Sequence, residues 1–356
     1  MRKCINPSNY SAYHTMICQQ SQFRLDEMTQ YPSRWFLSVD TISYIVENCS
    51  VKMMMGLLML DEYMGISFKR DEVTICPGRE SFMYTCNGVQ FFITKAYAYA
   101  YNLDPDGDDI LSYPFKELRV NITGEGMKFL RKHYQSKQIW ADDFLLHFIS
   151  QNFVEKVFNE DGTPKLNAVG DQIEIWHGHY TRVDYALDVI NDFSNIMNNM
   201  IRHLNYGTST GEPGFFISSN GGRVYKSKIY LSDNGGKTIY LGSTQSEQML
   251  RVYDKLAEQT DETGVWKHDP GFPGIDKSEI KTWTRFELVL RKVKAKEYTP
   301  TSSDTSSVLR FPELFVNLLY EKFQPGSNTF MPEWWHSFWR PVMDRPETIK
   351  ILVNFV

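Results

Sequence analysis

The sequence predicts an α+β fold, and three observations carry that expectation. Several segments alternate polar and apolar side chains with a period of two, most clearly "YTRVDYALDVI" (180–190) and "KTWTRFELVLRKV" (281–293). Another places Phe193, Ile196, Met197, Met200, Ile201 and Leu204 at helical spacing. Asn87-Gly88, between two strand-like runs, is the pair best suited to a tight hairpin turn. Strand, helix, hairpin and strand recur loosely in both halves, which permits two related α+β modules.

In chain order, residues 1–30 lack periodicity and read as a tail or arm. "RWFLSVDTISYIV" (34–46) is rich in aromatic and β-branched residues, as strands are. The apolar run "SVKMMMGLLMLDEYMGI" predicts a helix ending near Gly65, and "SFMYTCNGVQFFITKAYAYAY" two strands across the Asn87-Gly88 turn. "ELRVNITGEGMKFLRKHY" reads as strand, glycine turn and helix. The polar run "NEDGTPKLNAVGDQ" (159–172) suggests a boundary, giving modules 31–165 and 166–300. In the second module Gly207 stops the helix, and "SKIYLSDNGGKTIYLGS" forms a hairpin turning at Asp233 to Gly236. Residues 301–356 form a helical segment whose "PEWWHSFW" is a docking face onto the body, with a base-stacking platform as the other reading.

Composition excludes several classes. Apolar residues at 42% and charged ones at 23% fit a folded protein of 356 residues. No run of eighteen uncharged apolar residues occurs, and the start lacks the apolar middle of a secretion signal, so the expectation is a cytoplasmic protein with no membrane partner. The five cysteines (4, 18, 49, 76 and 86) are irregularly spaced with no Cys-x-x-Cys pair, which argues for reduced thiols. A net charge of -5 announces no polyanion partner, so any nucleic-acid reading rests on two local clusters, 223–228 and 291–296. No phosphate loop, Gly-x-Ser-x-Gly elbow or His-Glu-x-x-His pair is present.

Three segments offer chemistry. Over 181–189 the alternation puts Arg182, Asp184, Ala186 and Asp188 on one face and Val183, Tyr185, Leu187 and Val189 on the other. Over 282–290, Arg285, Glu287 and Val289 lie opposite Phe286, Leu288 and Leu290. If the two strands are neighbours, Asp184 and Glu287 can hold Mg²⁺ or Mn²⁺ through oxygen ligands. Asp188 is the weaker ligand, because four residues of strand span roughly 13 Å. The competing reading pairs these carboxylates with Arg182 and Arg285. In "MLRVYDK" a strand sets Met249, Arg251, Tyr253 and Lys255 on one face, and a helix pairing Leu250, Tyr253 and Leu256 is the alternative. Flanking cations favour an ionised phenol, although a tyrosine there also serves packing or cation–π contact. His177 and His179, two apart around Gly178, read as a turn rather than a metal pair.

The order of "YTRVDYALDV", "IYLGSTQSEQMLRVYDKLAE" and "TWTRFELVLR" resembles the Rep_trans family of rolling-circle replication initiators, found on small plasmids and phages, and the related conjugative relaxases. The resemblance is good from Gly178 to Arg291, fainter over "FLSVDTISYIV" and "ELRVNITGEGMKFLR", and not evident in residues 1–30 or the Trp-rich tail. It implies a diverged His-hydrophobic-His (HUH) endonuclease-like fold, with a central antiparallel sheet and packed helices. It also implies an enzyme that nicks one origin strand through a phosphotyrosine and leaves a 3′ hydroxyl, with Tyr253 as nucleophile and Asp184, Glu287 and Asp188 matching the metal-assisting acids. Arg251 and Lys255 then become phosphate contacts, and Arg182, Arg223, Lys226, Lys228, Arg285, Arg291 and Lys292 DNA-binding residues. Expected partners are origin DNA, a second copy in a homodimer, a host helicase and a DNA polymerase. A conjugative relaxase with the same chemistry and a non-catalytic DNA-binding protein are the alternatives.

Overall fold

Two thirteen-residue strands, β1 (Arg34–Val46) and β8 (Gly178–Ile190), lie antiparallel at the centre of an eleven-stranded sheet. The structure is a computed structural model that describes residues 33–63, 69–76, 78–137, 139–206, 214–217, 224–232, 235–268, 272, 274–299, 312–326, 332–345 and 349–351. On one side of the central pair the chain runs from β1 out to the sheet edge. It then returns through β2 (Lys69–Cys76), β3 (Arg79–Cys86), β4 (Val89–Thr94) and β5 (Leu118–Ile122), which pairs with β1. After a two-stranded ribbon, β6 (Val154–Lys156) with β7 (Glu174–Trp176), β8 begins the second half. Strands β9 (Phe215–Ile217) and β10 (Val224–Tyr225) lead to the other edge of the large sheet. From there β11 (Ser227–Leu231), β12 (Lys237–Leu241), β13 (Gln248–Asp254) and β14 (Trp283–Arg291) meander inward to β8. Near the C-terminus, β15 (Gln324–Gly326) joins β9, and β16 (Ile349–Ile351) runs parallel to the start of β1.

The two halves therefore share one topology, a central strand followed by a four-strand return from the edge, and they meet along β1 and β8. This is the antiparallel, helix-packed sheet of two related modules that the sequence and its resemblance implied. The seventh residue of each central strand is an aspartate, Asp40 and Asp184.

Alternation sorts the faces. Trp35, Leu37, Val39, Ile42 and Tyr44 of β1 point into one core with Val183, Tyr185 and Leu187 of β8 and Phe286, Leu288 and Leu290 of β14. The C-terminal helix Glu333–Asp344 docks here: Phe338 lies 5.1 Å from Trp35 and Trp339 lies 5.2 Å from Phe286, centroid to centroid. The Trp-rich segment is thus a docking face. On the opposite face the same strands carry their polar side chains, and a small cluster of Phe36, Ile190, Phe272, Ile280 and Trp283 closes one end.

A bulge interrupts the central pair. The register slips between Val39 and Thr41, so Asp40 has no partner on β8. The backbone groups of Val39 are held instead by side chains. Its N–H donates to Asp142 Oδ2 at 2.7 Å, and its carbonyl accepts from Arg131 Nη2 at 2.5 Å. Arg131 Nε donates in turn to Asp142 Oδ1 at 2.7 Å, tying helix Gly124–Gln135 to helix Ala141–Asn152 over the bulge.

Three local expectations are corrected. Lys95–Ala100 of "KAYAYAY" is a helix, because alanine is a strong helix former and β4 has left its pairing with β5 by Thr94. The methionine-rich helix ends at Leu57, with Met59 at positive φ, rather than near Gly65, which lies outside the described residues. Gly124 and Gly126 make no turn; they begin the helix capped by Thr123, whose hydroxyl accepts from Gly126 N at 3.2 Å. The Asn87-Gly88 turn is present, with φ of 47° and 83°. Gly207, Asp233 and Asn234 lie outside the described residues, as do residues 1–30, Cys4 and Cys18. Cys49 and Cys86 are buried free thiols. Among the described residues no helix is long and apolar enough to cross a membrane.

Gly126 meets the hairpin directly, since a Cβ there would lie 2.5 Å from the carbonyl oxygen of Gly88. Gly126→Ala is expected to lower unfolding free energy by about 1–3 kcal/mol in urea titration, as overpacking against backbone does. Gly56→Ala, inside a helix and facing only the movable Asp61 carboxylate at 3.3 Å, should be neutral or stabilising in the same titration.

Candidate active site

The open face of β8, β14 and β13 collects the predicted residues because these strands are consecutive neighbours. Arg285 sits opposite Asp188 on one side and Tyr253 on the other; Glu287 sits between Ala186 and Arg251; Val289 faces Asp184. Asp184 and Glu287 are therefore diagonal neighbours across one strand pair, within about 8 Å at Cβ. Both are buried, Asp184 at 1% exposure and Glu287 at 2%.

Tyr253 is the penultimate residue of β13, which settles the strand over the helix alternative. The strand stops there because the Asp254 side chain caps the next helix, accepting from Ala257 N at 3.0 Å. The phenol donates to Glu287 Oε2 at 3.3 Å. Arg251 Cζ stands 4.8 Å and Lys255 Nζ 5.4 Å from the centre of the ring, so the flanking cations contact the π face. They do not leave the phenol more acidic. Burial pushes its pKa well above the usual value, Arg285 and Arg251 oppose this, and Glu287 and Glu258 add to it.

Each carboxylate has an arginine. Arg182 Nε donates to both oxygens of Asp184, at 2.8 and 3.1 Å, and Nη2 donates to Oδ2. Glu287 accepts from Arg251, which lies opposite Tyr240 across β13 and β12. Glu287 is thus served by the strand beside it rather than by Arg285, the partner the sequence suggested. Arg285 grips Asp188 through two bonds of 2.7 and 2.8 Å, Trp283 Nε1 donates to the same carboxylate at 2.6 Å, and Arg285 Nη1 reaches Asp40 at 2.7 Å. Despite burial, Asp188 and Asp40 hold the Arg285 guanidinium firmly charged. Burial raises Asp40, but Arg285, Lys255 and Arg131 more than compensate and leave it below the usual range. For Asp184 burial wins: with Glu287 and Asp40 adding repulsion, and Arg182 opposing, its carboxyl is pushed up to about 6.

The other predicted residues are spread around this core. Arg291 lies opposite Arg182 and donates to the Ser246 carbonyl at 3.3 Å. Lys292, at a φ of 51°, turns the chain from β14 into helix Val293–Glu297. Lys226 and Lys228 line a groove by the β11–β12 hairpin, and Arg223 lies outside the described residues. His177 stands at the bend before β8, 3.4 Å from Glu155, and His179 lies within β8, its pKa lowered by burial and by Lys296.

Among the described residues no group of three or more His, Cys, Asp or Glu is arranged to hold a metal. All three carboxylates already have donors, Asp188 from Arg285 and Trp283, Asp184 from Arg182, and Glu287 from Arg251 and Tyr253; Asp184 and Glu287 are the pair whose arginines are partly exposed. Two carboxylates suit Mg²⁺, which keeps waters and completes its shell with substrate phosphate.

Asp40, Tyr240 and Trp283 were missed from sequence. The signal for Asp40 was the repeated Val-Asp, "SVDTIS" in β1 and "RVDYAL" in β8, at the same depth in each strand.

A two-module antiparallel sheet with acids, arginines and a tyrosine on its open face defines a class. The solved rolling circle replication initiator protein from Geobacillus stearothermophilus has this fold, with a TM-score of 0.51 over 90% of this chain and 100% of that one at 15% identity. The model of the Rep_trans family, described as replication initiation factor, matches residues 178–354 of the chain. The apo structure of immunity protein TplEi of T6SS from Pseudomonas aeruginosa is 7% identical, with a TM-score of 0.14 over 77% of this chain and 89% of that one. No curated protein matches the chain.

Because Asp184 binds its proton more tightly folded than unfolded, its contribution favours the native state below pH 4 and is lost as pH rises through about 6. In chelator, wild-type stability should therefore fall by about 2 kcal/mol relative to Asp184→Asn between pH 4 and 7, read by urea titration at each pH.

Proposed function

We propose that this protein initiates rolling-circle replication by nicking one strand of its origin, with Tyr253 as nucleophile and the chemistry confined to the second module, residues 166–300. The single observation that carries the reading is the Tyr253 hydroxyl, donated to Glu287 and set among Asp184, Arg251 and Arg285 on the open sheet face.

A free phenol near pKa 10 is about 0.1% ionised at pH 7, and here burial makes the phenolate scarcer still. The proton must therefore leave as attack proceeds, and Glu287 Oε2 is placed to accept it. Tyr253 Oη bonds to phosphorus as the bond to O3′ breaks. The 3′ oxygen takes a proton from water and becomes the primer hydroxyl, while the 5′ phosphate stays esterified to the tyrosine. Arg251 and Arg285 flank the point of attack and offset charge on the phosphate oxygens. Asp184 and Glu287 would hold Mg²⁺ or Mn²⁺, which when bound supplies charge neutralisation at the phosphate. Rejoining at termination is the reverse attack by a 3′ hydroxyl on the phosphotyrosine. Origin DNA is the substrate, and the family resemblance supports a homodimer that works with a host helicase and polymerase in the cytoplasm.

Purified protein incubated with supercoiled DNA carrying its own replicon's origin, plus Mg²⁺ or Mn²⁺, should give a covalent protein–DNA adduct that Tyr253→Phe abolishes. An undiminished adduct in that variant sinks the assignment. Asp184→Ala and Glu287→Ala should each reduce metal-dependent nicking by at least about 100-fold while origin binding in gel shift stays within a few-fold. Nicking that proceeds equally in chelator removes the metal from the mechanism. Asp40→Asn should slow nicking with little effect on DNA affinity, because Asp40 acts through Arg285; Asp40→Glu should restore part of the rate.

A further inference from the structure

The sheet face does not end at β13. Across β12 and β11 the cross-strand register continues the site outward in two rows. Arg251 pairs with Tyr240 and Tyr240 with Lys228, while Tyr253 pairs with Thr238 and Thr238 with Tyr230. Tyr240 and Tyr230 meet edge to face at 5.4 Å, and Tyr230 is 53% exposed although it is a large aromatic residue. A groove of about 460 Å³ runs beside them, lined by Lys226, Lys228, Tyr230, Tyr240 and Ser243. It continues past Lys226 and Gly242 into a second groove, where Lys294 stands with Glu247. Strands lie about 4.8 Å apart, so these tyrosines sit about 5 and 10 Å from the β13 backbone.

We propose that the face of the β11–β12 hairpin is a track for single-stranded DNA flanking the phosphate that Tyr253 attacks, with Tyr230 and Tyr240 stacking on bases and Lys226 and Lys228 on backbone phosphates. The inference rests on the nicking function proposed above and adds the path of the strand. Three features select a single strand. Exposed lysines bracket the aromatic pair, matching an anionic chain. The aromatic rings are useful only to bases that have left a duplex stack. The row is physically continuous with the site, because Tyr240 sits directly opposite Arg251 in the β12–β13 ladder and the Arg251 guanidinium covers the Tyr253 ring. Tyr240 thereby couples a base-binding position to the arginine beside the nucleophile.

The test is fluorescence anisotropy of a labelled 20-nucleotide oligo(dT) with full-length protein in chelator. This assay needs neither the metal nor the tyrosine chemistry, so it can fail or succeed independently of origin nicking. Tyr230→Ala and Tyr240→Ala should each weaken binding about tenfold, and Tyr230→Phe and Tyr240→Phe should bind as wild type. Lys228→Ala should lower the slope of log affinity against log salt by about 0.7. A blunt duplex of the same length should show no loss with the tyrosine variants, and Tyr99→Ala, an exposed tyrosine in the other half, should bind oligo(dT) as wild type. Wild-type affinity in both alanine variants overturns the proposal, as does equal weakening for duplex and single strand. Unchanged oligo(dT) binding with a shift in sedimentation for Tyr230→Ala also overturns it, and makes this edge strand a protein contact instead.

Discussion

The arrangement of the open face depends on one buried guanidinium. Arg285 spends two donors on Asp188 and a third on Asp40, and its backbone lies beside that of Tyr253. Removing one partner of such a buried pair typically costs about 3–5 kcal/mol, because the surviving charge is stranded away from water. The clamp is also what joins the halves chemically, since Asp40 comes from β1 and Arg285 from β14, on the far side of β8. Asp40 reaches across because the bulge releases it from the β1–β8 ladder, and the bulge stands because Arg131 and Asp142 satisfy the backbone of Val39. An ion pair between two helices thereby holds the bulge that frees the Asp40 carboxylate.

The remaining charges follow from a contrast in depth. Asp184 and Glu287 side chains are 1% and 3% exposed, whereas those of Arg182 and Arg251 are 39% and 33% exposed. The acids lie at the floor and the arginines form the layer that meets solvent. A phosphate approaching this face would meet cations before carboxylates, although the protein's net charge is -5. The same depth explains why burial, rather than neighbouring cations, decides the state of both Tyr253 and Asp184.

Much of this was legible because β8 and β14 are buried on one face and polar on the other, so a period of two separates core from chemistry. The alternation assigned Asp184, Glu287 and Tyr253 to faces without any structure. Adjacency was not legible: nothing local says that β13 lies beside β14, so the competing reading drew the carboxylates' partners from their own strands, Arg182 and Arg285, whereas Glu287 is held by Arg251. Asp40 escaped for the same reason, its partner being 245 positions away. Alternation also misled once, at "KAYAYA", where small alanines satisfy a strand pattern and a helix equally and the end of the β4 ladder decides. The family resemblance, carried by the second-half strands, pointed to the side of the molecule where the acids and tyrosine converge.

The duplicated topology makes the asymmetry of the two halves informative. In the first half the open face carries an amide ladder, with Ser43 donating to Asn121 at 2.6 Å and Asn121 to Gln90 at 2.7 Å across β1, β5 and β4. The corresponding strands of the second half, β8, β14 and β13, carry Asp184, Glu287 and Tyr253. One scaffold thus supports a self-satisfied polar face and a charged, strongly perturbed one. The charged face is costly to fold, since it buries acids and cations together, and the quiet half offsets that cost by extending the shared core along β1 and β8. Of the first half, Asp40 alone reaches into the cluster through a side-chain bond among the described residues, and it reaches Arg285, the residue set against the tyrosine. The first half therefore reaches the candidate site through one hydrogen bond whose geometry the central seam holds in place.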